Sequence, residues 1–318
     1  EDTLSLHDAL PIFQAFLDMM KTQPRPPMSD GLISMMRQMP PGSMPSLDLP
    51  VGELGEIRDV AMSGPAGKID LRLFDPRESR DHSPVVVYYH GGGFAVGSIE
   101  THSGLCAEIA RAMDLPVISV EYRLAPESPW PAAPDDAEAA ARWIAENGAA
   151  FGREFTGLVL AGDSAGGNLS AVTALALRDQ PAAVPVVLQL AIYPVTDSSI
   201  AHPSRGLFAN GYFLDKHDVD YFDRAYAADN LHWRASPLLA EQSGIAPSVV
   251  ITAGLDPLRD EGRAYAEKLK AAGVPVSFYE AEGNIHGFCT YRLHVPSARE
   301  DLAKMLDLAK AMLAETVG

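Results

Sequence analysis

The sequence is poor in cysteine, has few basic residues and contains no long apolar run. Its two cysteines, Cys106 and Cys289, cannot form a disulfide framework, and no His/Cys cluster has the spacing of a zinc site. No segment approaches the roughly 18 apolar residues of a membrane-spanning helix. No basic region followed by an apolar stretch marks a secretory signal. We therefore expect a cytoplasmic protein without a membrane span or a structural metal.

Acidic residues dominate the charge of the chain. Its 25 Lys and Arg residues stand against 42 Asp and Glu, which gives a formal net charge of −17. Nucleic-acid binding requires a clustered basic surface, and so does docking on anionic lipid. Both kinds of partner are therefore excluded. A chain of 318 residues is long enough to bury a large apolar core without disulfide or metal cross-links.

The first twelve residues are interpreted as foreign to the protein. Asp2–Ile12 reads DTLSLHDALPI, which resembles an in-frame translation of a common sequencing adapter. We exclude residues 1–12 from the fold prediction. On this interpretation the native N-terminus is missing, so a lost targeting signal remains compatible with the sequence.

Residues 13–50 form a methionine-rich segment. Seven of the eleven methionines lie between positions 19 and 44, and the apolar spacing from Leu32 to Met39 predicts a short helix that ends before Pro40. A segment this small cannot fold alone, so we expect it to pack over the core as part of a cap. Methionine fills irregular gaps and also suits a tolerant binding surface. Both roles stay open, and Met35 and Met36 are candidate substrate contacts.

Strand signals alternate with helical ones from Glu56 onward. An antiparallel hairpin is predicted around Gly64-Pro65-Ala66-Gly67, and the later alternation predicts a mostly parallel, eight-stranded sheet with helices on both faces. The fold class is therefore α/β. The predicted strands are Glu56–Met62, Ile69–Phe74, Pro84–Tyr89, Pro116–Val120, Gly157–Ala161, Val186–Tyr193, Ser248–Ala253 and Pro275–Glu280. The predicted helices are Gly104–Met113, Asp135–Asn147, Ala165–Arg178, Leu258–Ala272 and Ser297–Glu315.

One aromatic-rich stretch, Thr196–Gln242, interrupts this alternation because it contains no strand signal. We interpret residues 196–242 as a second cap segment at the carboxyl edge of the sheet, inserted into a core formed by residues 51–195 and 243–318. Phe208, Tyr212 and Phe213 in this stretch are predicted to line an apolar cleft.

The most informative motif is G-x-S-x-G at residues 162–166, between the predicted strand Gly157–Ala161 and a helix. The motif alone is weak evidence for a nucleophile. Its position between a strand and a helix supports that role, because the tight turn there leaves no room for bulky residues beside the serine. It predicts Ser164 as an exposed nucleophile. The alternative is a serine that only caps the helix.

A serine nucleophile needs a base that is itself oriented by a third group. His286 follows the last predicted strand, and Asp256 follows the strand Ser248–Ala253. The order Ser164, Asp256, His286 matches the chain order of the triad in α/β-hydrolases. Asp256 also precedes Pro257, so it is expected to cap the next helix as well.

Residues 90–94 read His-Gly-Gly-Gly-Phe and follow the strand Pro84–Tyr89. Consecutive glycines let backbone N–H groups approach a substrate oxyanion. A nucleotide-phosphate loop is the alternative, but the spacing does not fit G-x-G-x-x-G. The N–H of Ala165 is expected to complete the donor set.

Together these motifs resemble the hormone-sensitive-lipase-like group of α/β-hydrolases, also called bacterial family IV esterases. The matching stretches are His90–Phe94, Tyr122–Glu127, Gly162–Gly167, Asp256–Gly262 and Ile285–Phe288. The resemblance implies hydrolysis of short acyl esters without a cofactor or a metal. It assigns Ser164 as nucleophile, His286 as base and then acid, and Asp256 as the residue that orients His286.

The resemblance also implies an oxyanion hole built from the N–H groups of Gly92, Gly93 and Ala165. Phe94 and Leu255, which lie in or beside the motifs, are further substrate-contact candidates. An Arg123–Glu127 pair near the site is implied as well, and so is a homodimer formed through the last strand or helix.

One alternative comes from another class of protein, because some relatives of this fold are hormone receptors that have lost a triad member. All three triad residues are present here, which favours an enzyme. Amidase, lactonase and true lipase activities stay open, although a small capped cleft in an acidic chain favours short, water-soluble esters.

Overall fold

The computed structural model describes residues 26–39 and 47–317. The predicted adapter sequence at residues 1–12 lies outside the described residues, as do residues 13–25 and 40–46 of the methionine-rich segment. The described residues form a single eight-stranded sheet. The strands are β1 Glu56–Gly64, β2 Gly67–Asp75, β3 Ser83–Tyr89, β4 Val117–Val120, β5 Phe155–Asp163, β6 Val186–Ile192, β7 Ser248–Leu255 and β8 Val276–Ile285. Their order in the sheet is β1-β2-β4-β3-β5-β6-β7-β8.

The sheet is antiparallel only at one side. β1 pairs antiparallel with β2, and β2 with β4, whereas every other pair is parallel. This arrangement confirms the predicted mostly parallel, eight-stranded α/β fold. β8 is the strand at the far edge of the sheet, and pairing of two copies through it stays a prediction.

Helices cover both faces of the sheet. They are α1 Asp30–Gln38, α2 Ile99–Met113, α3 Ala132–Glu146, α4 Ala165–Asp179, α5 Pro203–Leu207, α6 Lys216–Tyr226, α7 Arg259–Ala271 and α8 Pro296–Val317. α2 and α8 pack on one face, and α3, α4 and α7 pack on the other.

The central position of β3 explains why its sequence is continuously apolar. Val86 and Tyr88 enter the first core, while Val85, Val87 and Tyr89 enter the second.

Several elements extend beyond their predicted ends, and α2 and β8 are two of them. α2 begins at Ile99 rather than Gly104 because Ser98 and Thr101 form a reciprocal capping box. β8 continues to Ile285 rather than ending at Glu280. His286 therefore follows the strand directly.

The stretch 196–242 contains α5, α6 and a 3₁₀ turn at Pro237–Leu239. α6 lies against α1, where Ile33, Tyr221 and Ala95 form a small buried cluster. The Tyr221 hydroxyl also donates to Asp30, at 2.8 Å. In the part of the chain that the structure covers, no helix combines the length and apolar character that crossing a membrane requires.

Candidate active site

The turn between β5 and α4 holds Ser164 in a strained conformation, with φ 56° and ψ −117°. Positive φ is costly for a residue with a side chain, by about 1–3 kcal/mol. Glycines at both sides are required for space. A Cβ on Gly166 would lie 1.8 Å from the carbonyl oxygen of Tyr89, and one on Gly162 would lie 2.3 Å from the carbonyl oxygen of Gly166. The Ser164 side chain makes no capping hydrogen bond to α4, which argues against the helix-cap alternative.

The structure brings Ser164, His286 and Asp256 together. His286 Nε2 lies 2.8 Å from Ser164 Oγ, and His286 Nδ1 lies 2.8 Å from Asp256 Oδ2. All three residues are buried, so Ser164 is not exposed as predicted; it lines a cavity instead. The other Asp256 oxygen, Oδ1, accepts the N–H of Leu258 at 2.8 Å. The carboxylate thus fixes the turn before α7 and faces the imidazole at the same time.

Opposing effects act on the protonation of His286. Burial lowers its pKa, but the carboxylate of Asp256 outweighs burial through charge and hydrogen bonding, with smaller contributions from Asp163 and Glu261. The net result is a pKa above the usual histidine value. A base of this kind accepts a proton readily and is stabilised once it is charged.

The glycine loop after β3 lines the same cavity as Ser164. Gly92 and Gly93 both have positive φ, at 121° and 58°. Side chains are sterically excluded there, because a Cβ on Gly93 would lie 2.3 Å from the ring of Phe222. Among the described residues, the N–H groups of Gly92 and Gly93 have no hydrogen-bond acceptor. Ala165 is the first residue of α4, where a helix supplies no acceptor for the backbone N–H.

A cavity of about 390 Å³ opens over Ser164 and His286. Its walls are mostly apolar and come from α1, the glycine loop, α6 and the turns after β7 and β8. Of the predicted substrate contacts, Phe94, Phe213 and Met36 line it. Residues that line it but escaped prediction include Met28, Val219, Phe222, Tyr226, Leu258 and Tyr291.

Four predicted substrate contacts do not line this cleft. Met35 is 56% exposed, because neighbouring residues on a helix point about 100° apart and Met36 faces inward. Phe208 and Tyr212 pack edge to face and are buried in the hydrophobic core. Leu255 ends β7 with its side chain in the core between sheet and helices. These positions correct the prediction from sequence.

The predicted Arg123–Glu127 pair is wrong. Arg123 pairs with buried Asp136 on α3, at 2.8 Å, and Glu127 pairs with Arg37 of α1, at 2.5 Å. Arg37 also donates to the carbonyl oxygens of Ala95, in the glycine loop, and Ala125. Arg37 belongs to no motif, so these contacts of α1 with the core were not predicted from the sequence.

Cys106 and Cys289 are both buried and free. Over residues 26–39 and 47–317, no group of three or more His, Cys, Asp and Glu side chains could hold a metal ion.

Residues 86–290 match a family model described as an alpha/beta hydrolase fold. The chain is 43% identical to esterase LipI of Mycobacterium tuberculosis over 249 residues, which span 76% of this chain and 78% of the relative. It is 37% identical to ethyl acetate hydrolase of Pseudomonas putida over 258 residues, or 79% of this chain and 81% of that one.

A solved structure is similar over almost the whole chain. It is a serine-to-alanine mutant of LAE6, an alpha/beta hydrolase enzyme from the metagenome of Lake Arreo, Spain. The TM-score is 0.86 at 36% identity, and the match covers 97% of this chain and 99% of the other.

Proposed function

Since this chain belongs to the hormone-sensitive-lipase-like group of α/β-hydrolases and is a carboxylic ester hydrolase, we propose that it cleaves short-chain acyl esters through Ser164, His286 and Asp256. The observation that carries the proposal is the continuous line of two 2.8 Å contacts from the Asp256 carboxylate through the imidazole to the Ser164 hydroxyl. A nucleophile, a base and an orienting group in contact are what acyl transfer through a serine requires.

Acylation begins when His286 Nε2 takes the proton of the Ser164 hydroxyl as its oxygen attacks the ester carbonyl. The Asp256 carboxylate accepts the Nδ1–H and so holds the tautomer whose Nε2 lone pair faces serine. The imidazolium that forms is stabilised by the same carboxylate. It then donates its proton to the alcohol oxygen, the C–O bond breaks, and the acyl group remains on Ser164.

Deacylation repeats these steps with water. His286 removes a proton from a water molecule that attacks the acyl-enzyme carbonyl, and it returns a proton to Ser164 Oγ as the ester to serine breaks. In both tetrahedral intermediates the oxyanion is bound by the N–H groups of Gly92, Gly93 and Ala165. Each such donor contributes about 3–4 kcal/mol to the transition state in sites that exclude water.

The size of the cleft supports a small substrate. A volume of about 390 Å³ lies near the lower end of the roughly 300–1,000 Å³ of small-molecule sites. One relative is named for ethyl acetate, a short ester. We assign residues 26–39 and the stretch 196–242 to a cap, because Met28 and Met36 from the first and Phe213, Val219 and Phe222 from the second line the cleft.

The nucleophile is tested by Ser164→Ala, with turnover of 4-nitrophenyl acetate and labelling by a fluorophosphonate as readouts. We expect loss of both with an unchanged circular dichroism spectrum. Ser170→Ala is the matched control, because Ser170 lies on the same helix and, within residues 26–39 and 47–317, its hydroxyl bonds only to the helix carbonyl of Gly167. Retained turnover in Ser164→Ala, on protein free of host esterase, would refute the assignment, and failure of the wild-type protein to react with the probe would favour a binding protein.

Chain length is tested with 4-nitrophenyl esters from acetate to palmitate. We expect kcat/KM to be greatest for the short acyl chains and to fall once the chain exceeds the cleft. A maximum at palmitate contradicts the short-chain proposal while leaving the roles of the three residues intact.

A further inference from the structure

A second buried carboxylate, Asp163, lies directly before Ser164 in the chain. Its Oδ1 accepts the Tyr88 hydroxyl at 2.7 Å and the N–H of Gly91 at 2.8 Å. A Cβ on Gly91 would lie 2.4 Å from Asp163 Oδ2, so only glycine fits against the carboxylate. Asp163 therefore ties the first glycine of the oxyanion loop to the turn that carries Ser164.

A histidine faces this carboxylate from the first turn of α2. His102 is buried, and its Nε2 lies 3.4 Å from Asp163 Oδ1. Its Nδ1 lies 2.9 Å from Thr101 Oγ1. That hydroxyl accepts the N–H of Ser98 and has the Ser98 carbonyl, at 3.0 Å, as acceptor for its own proton.

The ring contacts of His102 fit an imidazolium. Nε2 faces a carboxylate oxygen and therefore carries a proton. When the Thr101 hydroxyl donates to the Ser98 carbonyl, Nδ1 is the donor to Thr101 Oγ1, and both ring nitrogens are protonated beside the Asp163 carboxylate.

The surroundings of His102 agree with a cation. Burial lowers its pKa, but Asp163 outweighs burial and the net pKa is raised. His90, whose ring centroid lies 5.6 Å away, adds no charge because burial lowers its pKa to about 3. The other ionisable groups that act on His102 are Asp48, which is paired with Arg292, and Glu121, which accepts the N–H of Ile99.

We propose that Asp163 and His102 form a buried ion pair that positions the oxyanion loop on the nucleophile turn and limits the effect of the Asp163 charge on His286. The proposal rests on the function proposed above for Ser164 and His286. Neither member of the pair contacts the reacting atoms. Both are positioning residues: Asp163 acts through Gly91, and His102 acts through Asp163.

The ion pair predicts that replacing His102 and replacing Asp163 shift the pKa of His286 in opposite directions. The charges that act on His286 are the carboxylates of Asp256, Asp163 and Glu261, and all three raise its pKa. Removing the His102 cation leaves Asp163 uncompensated, so the pKa of His286 should rise. Removing the Asp163 charge should lower it. A role in packing alone would reduce activity without this opposition.

The test is the pH profile of kcat/KM for 4-nitrophenyl acetate in His102→Gln and Asp163→Asn. Both substitutions keep hydrogen-bonding groups of similar size. We expect the acid limb to move up in pH for His102→Gln and down for Asp163→Asn, each by roughly half a unit or more. We also expect kcat to fall at least about tenfold in Asp163→Asn, because a neutral amide oxygen holds the N–H of Gly91 more weakly than a carboxylate does. His82→Gln, at an exposed histidine, is the control and should keep the wild-type profile.

An acid limb of kcat/KM that stays at the wild-type pH in both variants, or that moves in the same direction in both, overturns the proposal. A measurement on the wild-type protein tests the proposal even if the variants do not fold. The ¹⁵N shifts of the His102 side chain should show both nitrogens protonated at pH 7.5, and a neutral ring there refutes the pair. Failure here is distinguishable from failure of the proposed function, since activity that depends on Ser164 would persist with an unchanged acid limb.

Discussion

Replacement of Arg37 by methionine tests whether α1 contributes to substrate binding and to the position of the glycine loop. The guanidinium contacts three acceptors on the core: the Glu127 carboxylate and the carbonyl oxygens of Ala95 and Ala125, each at 2.5 Å. Methionine keeps a long apolar stem and removes all three contacts. Because Ala95 lies in the loop that carries Gly92 and Gly93, the substitution should loosen both α1 and that loop.

The size of the effect follows from the exposure of each partner. The Glu127 side chain is 66% exposed, so the ion pair contributes less than about 1 kcal/mol. Hydrogen bonds from a charged group to carbonyls contribute about 1.5–3 kcal/mol each when buried, and less in this part-buried setting. A total near 2 kcal/mol raises the population of detached α1 by roughly 30-fold.

The assay combines hydrogen exchange of residues 26–39 with steady-state kinetics. In Arg37→Met we expect faster exchange in α1, a higher KM because Met28 and Met36 leave the cleft wall more often, and a smaller fall in kcat. The global free energy of unfolding should fall by the same amount, about 2 kcal/mol, because the free energy of detaching α1 is part of the total. Glu127→Gln is the control, since it removes only the exposed ion pair. Equal effects of the two substitutions, or unchanged exchange in Arg37→Met, would refute the reasoning.

Three further predictions concern the centre of the site. The raised pKa of His286 beside Asp256 should place the acid limb of kcat/KM above the pH at which an ordinary histidine titrates, because only neutral His286 accepts the serine proton; a limb well below that pH, measured with 4-nitrophenyl acetate, contradicts this. Gly166→Ala should lower the free energy of unfolding by about 3 kcal/mol and abolish turnover, because the Cβ collides with the Tyr89 carbonyl; Gly206→Ala, whose Cβ has no atom within 4 Å, is the control, and equal stability of the two in urea denaturation counts against the steric argument. Prolonged dialysis against EDTA should leave kcat unchanged, since the proposed mechanism uses no metal; loss of activity that Zn²⁺ restores would contradict the mechanism.

Local sequence rules predicted the fold well because they act over short distances. The apolar run Pro84–Tyr89 predicts a strand buried on both faces, and in the structure its residues enter two cores. The steric demand for glycine at 162 and 166 can likewise be read from the sequence. The start of α2 was missed although Ser98 and Thr101 carried a readable signal, since Thr101 takes the place of the usual Glu or Gln in the capping box.

Contacts between residues far apart in the sequence could not be predicted from these local rules. Arg37 and Glu127 are ninety positions apart, and each has other charged residues nearby in sequence, so no pattern pairs them. His102 meets Asp163 only because α2 packs beside the end of β5. The cleft contacts failed for a similar reason: whether Met35 or Met36 faces the site depends on how α1 is rotated against α6, and the helix is apolar at both positions.

Sheet order explains why even a correct list of motifs does not give the site its geometry. β5, which leads into Ser164, and β8, which leads into His286, are three strands apart in the sheet, or roughly 14 Å at the usual spacing. The imidazole must therefore return toward the centre of the sheet. Two irregular features accompany this return: the pairing of β7 with β8 shifts register between Ala253 and Leu255, and Tyr193, at the unusual φ of 33°, brings its ring to 4.9 Å from the imidazole. Tyr193→Ala should therefore weaken the Ser164–His286 contact and lower kcat more than it raises KM, and an unchanged kcat would show that the return of His286 depends on its own loop alone.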